Sequence, residues 1–260
     1  GNAKCASCHR NAMTRPVGFM SMELLDKCLA DIQKFPESLA ECVPSNFGET
    51  FAHKNWLRIL ELIAHKLPQT PMVIPTNGTL LEGKVDLLCS IRTVKLVNFS
   101  INAALPSTYE AFHQLPASNL EKIEKAIRRI RELRPDITLW ASMVRDARFQ
   151  SPREEELFRE KWTPLVHVVQ VNVANYAKGR EPLVPVSLPC RSIFSDLVVL
   201  WDGRVSSCCF DVDGEAGIFG DANKESLLDI WHSKRLAHFR KLHNEGKRTE
   251  IELCRGCTFA

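Results

Sequence analysis

Several sequence features that would indicate particular classes of protein are missing from this chain. No apolar run approaches the roughly 20 residues that a helix needs to span a bilayer. The start carries no charged segment followed by an apolar leader, so we expect no export and a cytoplasmic location. The net charge is only +3, and no basic stripe is interleaved with aromatic residues. We therefore expect neither a membrane nor a nucleic-acid partner.

A glycine-rich phosphate-binding fingerprint is also absent after the first predicted strand, which argues against a dinucleotide-binding sheet. Apolar residues recur with helical spacing in four segments: SMELLDKCLADIQKF, NWLRILELIAHKL, NLEKIEKAIRRIREL and EEELFREKW. Short runs rich in Val, Ile and Leu at 72–76, 94–100, 137–144 and 166–173 are the predicted strands, with a weaker strand before NFGET. This alternation predicts an α/β fold with a parallel sheet, as a barrel or an open barrel.

The pattern changes after about residue 185. The segment DLVVLWDGRVSSCCF predicts two short strands joined by a hairpin at Asp202 and Gly203. A capped helix, a basic amphipathic helix and a closing C-x-x-C follow. A segment this small has little core of its own, so we expect its cysteines to stabilise it through a metal or a cluster.

Ten cysteines are many for a protein expected in a reducing compartment, where metal ligation is more common than disulfide formation. The C-terminal candidates for metal ligands are Cys190, Cys208, Cys254 and Cys257. Four thiolates suit both zinc and iron–sulfur clusters, so the residues alone leave that choice open. Because neighbouring side chains of a strand face opposite ways, only one of Cys208 and Cys209 should reach the site.

The other cysteines divide into two kinds. Cys28, Cys42 and Cys89 lie in periodic apolar stretches and are predicted to be packed thiols. Cys5 and Cys8 form a C-x-x-C at the start of the chain. A thioredoxin-type dithiol needs a strand before it, and a zinc ribbon with the C-terminal pair would need unusually distant partners. Neither interpretation is favoured.

Polar residues recur where predicted strands end, which is the edge at which a parallel barrel holds its active site. They are Gly48 and Glu49, then Thr76, Asn77 and Gly78, then Ser100 and Asn102. Each group alone is compatible with an ordinary turn. Their recurrence in three consecutive units favours a functional site.

The order of these motifs resembles the radical S-adenosylmethionine (SAM) enzymes that carry a C-terminal SPASM or shortened twitch domain. GNAKCASCHR is similar to their cluster loop, FGETFAHKNW to their Gly-Glu-Pro stretch, and TNGTLL and VNFSINA to their next strand ends. DGRVSSCC through LCRGC resembles the twitch domain. The resemblance covers almost the entire chain. It implies a partial (β/α)6 TIM-like barrel without its first strand over residues 1–184, and a small α+β twitch/SPASM-type domain over 185–260.

The resemblance also implies cofactors and the residues that hold them. Cys5 and Cys8 correspond to the second and third ligands of a [4Fe–4S] cluster that binds SAM. The C-terminal set corresponds to the ligands of an auxiliary [4Fe–4S] cluster, with Cys208 preferred over Cys209. The implied SAM contacts are Gly48, Glu49, Thr76, Asn77 and Ser100. No catalytic side chain is assigned.

Four departures from the family pattern concern the cluster loop and its neighbourhood. Gly1 stands where the first cluster cysteine is expected, no strand precedes the loop, and Thr50 replaces the family's proline. Ser7 also stands where a bulkier apolar residue is common. We expect a chain that begins inside its cluster loop, either truncated or altered at its first residue. Restoring Cys at position 1 together with the upstream strand should then restore a full cluster.

The function implied by the resemblance is radical chemistry. A 5′-deoxyadenosyl radical would abstract hydrogen from a peptide side chain or from a small polar alcohol such as an amino-cyclitol, with a flavodoxin or ferredoxin as electron donor. The alternative is a degenerate, non-catalytic iron–sulfur or zinc-binding protein that keeps only the C-terminal site. Candidate substrate contacts are Arg145, Asn172, Asn175 and Tyr176, and the residues expected to make only ordinary hydrogen bonds are His53, His113, His167 and His232.

Overall fold

The computed structural model describes residues 1–173, 188–214, 216–257 and 259. Two compact units are present. The first consists of residues 1–11 and 38–173, and the second of residues 12–37 together with the described residues from 188 onward. The boundary predicted between 184 and 185 lies outside the described residues. Residues 12–37, which we placed in the barrel domain, cluster with the second unit instead.

The first unit is built on a parallel sheet of four strands, as the sequence predicts. The strands are β1 (Met72–Thr76), β2 (Val94–Ser100), β3 (Thr138–Arg145) and β4 (Val168–Val173), adjacent in that order. The weaker strand expected before NFGET is only a single parallel bridge between Cys42 and Met72. An α/β fold with a parallel sheet is therefore confirmed, and a (β/α)6 barrel stays a prediction.

The helices of the first unit follow the periodicity of the sequence in three cases out of five. They are α2 (Trp56–Lys66), α3 (Val85–Ser90), α4 (Pro106–His113), α5 (Asn119–Leu133) and α6 (Pro152–Trp162). In α5 the predicted stripe is buried at Ile123, Ile127 and Ile130. α3 and α4 are too short to give a clear periodic signal. No described helix combines the length and the hydropathy that crossing a membrane requires.

The two faces of the sheet differ in burial. Ile74, Val97 and Leu139 are fully buried on one face. Most alternating positions of β1, β2 and β3, including Ser100 and Ser142, are only half-buried. Since successive side chains of a strand point to opposite faces, the second face carries the uncharged polar residues of β2, β3 and β4. That face and the carboxyl ends of the strands are where a site can form.

The second unit combines helices with a small antiparallel sheet. Its helices are α1 (Met22–Ile32), α7 (Ser192–Ser195), α8 (Leu227–Trp231) and α9 (Lys234–Asn244), and its strands are β5 (Val198–Val199), β6 (Arg204–Ser206) and β7 (Ile218–Asp221). The predicted hairpin is present, and Gly203 at its turn has φ +95°, a region that favours glycine.

Helix α1 belongs to this unit because of its apolar face. Leu24 and Cys28 are buried in a core with Val205, Phe219 and Ile230. The carboxylate of Asp31 in α1 also accepts the backbone N–H of Leu227, the first residue of α8, at 3.2 Å. Burial of this kind is the main stabilising contribution in a small unit. The packed position predicted for Cys28 is confirmed.

Candidate functional site

Glu49 lies at the carboxyl end of β1 in the first unit, with its carboxylate almost fully buried. Its Oε1 accepts the hydroxyl of Thr76 at 2.9 Å and the backbone N–H of Phe51 at 3.3 Å, and its Oε2 accepts the backbone N–H of Asn77 at 2.8 Å. Burial raises the pKa of Glu49, and these hydrogen bonds oppose the shift. The structure thus brings together three of the five predicted SAM contacts.

The first residues of the chain are attached to the same place. The side-chain amide of Asn77 donates to Oδ1 of Asn2 at 2.8 Å, and the Asn2 amide donates to the hydroxyl of Thr79 at 2.8 Å. A Cβ placed on Gly1 would lie 3.6 Å from Nη1 of Arg10 and 3.9 Å from Cβ of Glu49. These are ordinary contact distances, so a side chain at position 1 fits beside the Glu49 cluster.

Cys5 is held by the carboxyl-terminal end of α4. Its Sγ lies 3.2 Å from Nδ1 of His113, whose Nε2 lies 2.7 Å from the carbonyl oxygen of Ile101. The fully buried imidazole has its pKa lowered to about 4 by desolvation, so it is neutral at physiological pH. Burial, with the nearby Cys8, raises the pKa of Cys5 to about 11. The neutral ring therefore donates to the carbonyl and accepts from the thiol.

A second anchor joins the loop to the end of β3. The hydroxyl of Ser7 donates to Oδ2 of Asp146 at 2.6 Å, and the guanidinium of Arg148 binds both carboxylate oxygens of Asp146. The Arg148 hydrogen bonds, followed by that of Ser7, hold the pKa of Asp146 below its usual range. The loop is thus tied to α4 at Cys5 and to the end of β3 at Ser7, which lies between the two cysteines.

Replacing Asp146 by Asn is expected to lower the free energy of unfolding of the apo-protein by about 1–3 kcal/mol, because a buried charge-assisted acceptor is lost. Since the folded pKa of Asp146 is lowered, its contribution is complete above the unfolded pKa of about 3.9 and is lost as the pH falls through the folded value. Urea titrations at several pH values measure both effects.

Asp136 offers a matched control for this experiment. It is an exposed carboxylate with an arginine partner, Arg134, at 2.7 Å. Asp136→Asn should change the free energy of unfolding by less than about 1 kcal/mol. In a double-mutant cycle, Ser7→Ala should add little to Asp146→Asn. Full additivity would show that the Ser7 contact contributes nothing to the anchor.

The polar residues after β2 divide between two roles. Asn102 is buried with a left-handed φ of +58°, and its Oδ1 accepts the backbone N–H of Val144 at 2.7 Å. Its carbonyl accepts the side-chain amide of Gln150 at 2.7 Å, so it fixes the connection between β2 and β3. Ser100 instead lies on the half-buried face, where its cross-strand neighbours are Ser142 and then Gln170.

The candidate substrate contacts are only partly described. Arg145 is exposed and lies 3.5 Å from the carboxylate of Glu155. Asn172 is exposed, and its Oδ1 accepts the side-chain amide of Gln170 at 3.3 Å. Asn175 and Tyr176 lie outside the described residues. Arg145 and Asn172 occupy the carboxyl-terminal parts of neighbouring strands, as the sequence predicts, and their role stays a prediction.

In the second unit, five cysteines line one cavity: Cys190, Cys208, Cys209, Cys254 and Cys257. Both Cys208 and Cys209 reach it, because the chain has left β6 at Ser206 and turns there instead of continuing as a strand. The expectation that strand alternation excludes one of the two therefore does not apply. Burial raises the pKa of Cys209 and of Cys254 to about 11 and that of Cys208 further.

The donor set of this cavity fits an iron–sulfur cluster. A single zinc ion needs four donors at about 2.0–2.3 Å from one point. Within the residues that the structure describes, no three His, Cys, Asp or Glu side chains converge in a way that would hold one ion. In a [4Fe–4S] cluster each thiolate binds a different iron, so the cysteines need to surround a cavity and not a point.

Sequence reasoning did not identify four polar side chains that contact the predicted cysteines or their loops. They are His113 and Asp146 in the first unit, and His243 and Arg248 in the second. Although His113 was expected to form hydrogen bonds, nothing predicted its contact with Cys5. His53 and His167 accept backbone N–H groups, and His232 is exposed. For His113 and His243 the available signal was a histidine in the last turn of a short helix; Asp146 and Arg248 gave none.

Comparison with known proteins gives matches to both units. A family model described as SPASM, an iron–sulfur cluster-binding domain, matches residues 190–258. The S-adenosyl-L-methionine-dependent 2-deoxy-scyllo-inosamine dehydrogenase of Niallia circulans is 33% identical over 212 residues, which span 81% of this chain and 70% of that protein.

Two solved structures share the fold. BtrN in complex with AdoMet and 2-DOIA superposes with a TM-score of 0.67 at 18% identity, covering 99% of this chain and 88% of that one. Native anSMEcpe with bound AdoMet and the Cp18Cys peptide gives 0.68 at 16% identity, covering 98% and 85%. At these identities the superpositions describe the fold alone.

Proposed function

The chain belongs to the radical SAM enzyme family whose members carry a C-terminal SPASM iron–sulfur domain, and from this premise we propose that it abstracts a hydrogen atom from a small polar alcohol and oxidises it to a carbonyl compound. The observation that carries the proposal is the buried cluster of Glu49, Thr76 and Asn77. It lies at the carboxyl end of β1, and Asn77 is hydrogen-bonded to Asn2 in the segment that leads to Cys5 and Cys8.

The cofactors of this family are [4Fe–4S] clusters and SAM. Cys5 and Cys8 would ligate the first cluster, and Cys190, Cys254, Cys257 and one or both of the adjacent Cys208 and Cys209 would surround the second. When bound, these groups would supply reductive cleavage of SAM, hydrogen abstraction from the substrate and a second centre able to accept an electron.

The protein's own residues position and enclose these groups. Glu49 accepts three hydrogen bonds and so holds the end of β1 and the turn after it in one conformation. The contacts of His113 and Ser7 attach the loop of Cys5 and Cys8 to the sheet. Ser100 presents its hydroxyl group on the half-buried face, where it can bind SAM or substrate. The hydroxyl of its neighbour Ser142 donates to the carbonyl of Phe99 at 3.3 Å and can still accept a hydrogen bond. The protein's contribution is orientation and exclusion of water.

The proposed substrate class rests on the 33% sequence identity with the inosamine dehydrogenase. Its substrate is a polyhydroxylated ring, and net oxidation of a carbinol removes two hydrogen atoms and leaves a carbonyl group. The fold is shared with a protein whose structure contains a peptide, so peptide oxidation is the competing outcome. A flavodoxin- or ferredoxin-type reductant is the proposed electron donor in either case.

The proposal is tested by product analysis after anaerobic reconstitution with iron and sulfide. The chain with Gly1 and the Gly1→Cys variant are each incubated with SAM, dithionite and a panel of amino-cyclitols and cysteine- or serine-containing peptides. We expect Gly1→Cys to form far more 5′-deoxyadenosine than the chain with Gly1, and to oxidise a cyclitol. Cys5→Ala/Cys8→Ala is the inactive control.

If only peptides are oxidised, the proposed substrate class is wrong and the proposed radical chemistry stands. Absence of 5′-deoxyadenosine from every reconstituted form would instead contradict the proposed chemistry. It would favour the alternative of a non-catalytic protein that keeps only the C-terminal site. The extended similarity to an enzyme, over 81% of this chain, favours catalysis.

A further inference from the structure

Two buried polar side chains in the wall of the C-terminal cysteine cavity have no role in the proposed function so far. His243 and Arg248 are each only 1% exposed, and both line the cavity together with the five cysteines. Burying a polar or charged group is costly unless its partners compensate for the lost water. The partners of these two residues therefore indicate what each of them supports.

His243 links two of the predicted cluster ligands. Its Nδ1 accepts the backbone N–H of Cys190 at 3.1 Å, so Nδ1 carries no proton. In the neutral imidazole the proton then resides on Nε2, which lies 3.7 Å from Sγ of Cys254. The ring is thus fixed in the tautomer that donates an N–H to the sulfur of Cys254.

Arg248 is a buried cation with no carboxylate partner among the described residues. Its Nη1 donates to the carbonyl of Leu188 at 2.8 Å, and its Nη2 donates to the carbonyl of Phe259 at 2.9 Å. Its Nε is buried and finds no hydrogen-bond partner in the part of the chain that the structure describes. Within the described ranges it forms no ion pair with a carboxylate. An uncompensated buried charge is strongly destabilising, so an anion is expected in the cavity that Arg248 lines.

We propose that His243 and Arg248 are positioning residues of the C-terminal iron–sulfur cluster: His243 donates a hydrogen bond to the sulfur of Cys254, and Arg248 supplies the buried positive charge that balances the cluster. The inference rests on the proposed function in one respect, that the C-terminal cysteines hold such a cluster. Four thiolates carry more negative charge than the oxidised core neutralises, so the bound cluster is an anion.

The consequence is an effect on the reduction potential. Reduction adds one more negative charge to the cluster, and hydrogen bonds to its sulfurs and nearby positive charge both stabilise that state. Removing either contribution should therefore make the potential more negative. A merely structural role would alter stability or iron content and leave the potential unchanged.

The His243 contribution is tested in the full chain with Cys5→Ala/Cys8→Ala, so that only the C-terminal cluster forms. The potential is measured by redox titration with detection of the reduced cluster by electron paramagnetic resonance. His243→Asn keeps an acceptor for the Cys190 N–H but is too short to reach Cys254, and it should shift the potential to a more negative value. His243→Gln can still donate to Cys254, so its potential should lie close to that of the parent.

The Arg248 contribution is tested in the same background. Arg248→Gln should shift the potential to a more negative value. Arg248→Lys keeps the charge, so its potential should be closer to that of the parent. Lys241→Gln is the matched control, since it removes an exposed cation from the solvent side of α9 and should leave the potential unchanged.

Several results would overturn the inference. If His243→Asn and Arg248→Gln keep the full iron content and the parent potential, neither residue acts on the cluster. If Arg248→Gln or His243→Asn fails to bind iron, the conservative variant at the same position is measured instead. Equal loss of iron from Arg248→Lys or from His243→Gln rejects the proposed role of that residue. A parent protein without any C-terminal cluster would contradict the proposed function itself, and this is seen before any variant is compared.

Discussion

Replacing Cys254 and Cys257 together by serine is expected to abolish the C-terminal cluster and with it about four iron atoms per chain. Both thiols line the cavity of the second unit, and the chain between them forms a tight turn with the Cys257 N–H donating to the Cys254 carbonyl at 3.2 Å. Serine preserves the size of the side chain but does not supply a thiolate. Iron and sulfide counts with visible absorption spectra measure the loss.

Cys42→Ser is the matched control for this loss. Cys42 is half-buried, and its backbone forms an isolated parallel β-bridge with Met72 in the first unit. It belongs to neither predicted ligand set. Its replacement should leave the iron content unchanged. Because metal binding contributes to folding in small units with little core, the double variant should also unfold at a lower temperature than the parent. Unchanged iron in the Cys254/Cys257 variant would reject the cavity as the cluster site.

Replacing Glu49 by Gln is expected to weaken SAM binding about tenfold or more, the equivalent of about 1.4 kcal/mol. The resemblance implies that this region receives the amino group of SAM, and glutamine lacks the negative charge. The amide nitrogen of Gln cannot accept a hydrogen bond, so one of the donors from Thr76 and Asn77 loses its partner. Equilibrium dialysis of the reconstituted protein against SAM gives the Kd.

A control in the loop that follows β1 separates binding from stability. Glu82 is exposed and pairs with Lys122 at 2.9 Å, so Glu82→Gln should change neither the SAM affinity nor, by more than about 1 kcal/mol, the free energy of unfolding. Glu49→Gln should also reduce the free energy of unfolding by about 1–3 kcal/mol. A loss of stability with an unchanged Kd for SAM would make Glu49 a purely structural residue.

The elements with regular periodicity were predictable from the chain alone. The segments 72–76 and 94–100 coincide with β1 and β2, and NLEKIEKAIRRIREL coincides with α5. Their apolar spacing reports directly on which face each element buries. The short helices α3 and α4 were missed, because six or eight residues contain too few repeats to distinguish a helix from a connection.

The candidate sites were predictable only as residue types and positions along the chain. The cysteine sets and the polar residues at strand ends were identified from spacing, and the resemblance supplied their implied roles. The contact of Ser7 with Asp146 and that of Cys5 with His113 join residues more than 100 positions apart. Spacing within a motif carries no information about such partners.

What local pattern established is the type and order of the longer elements, the parallel sheet and the hairpin at Gly203. Folding in three dimensions established that α1 packs in the second unit, that Cys208 and Cys209 reach the same cavity, and that Arg248 is buried beside them. The physical reason is the separation along the chain over which each interaction acts. Backbone periodicity arises from neighbours a few residues apart, whereas burial and hydrogen bonding between distant segments depend on the path of the whole chain.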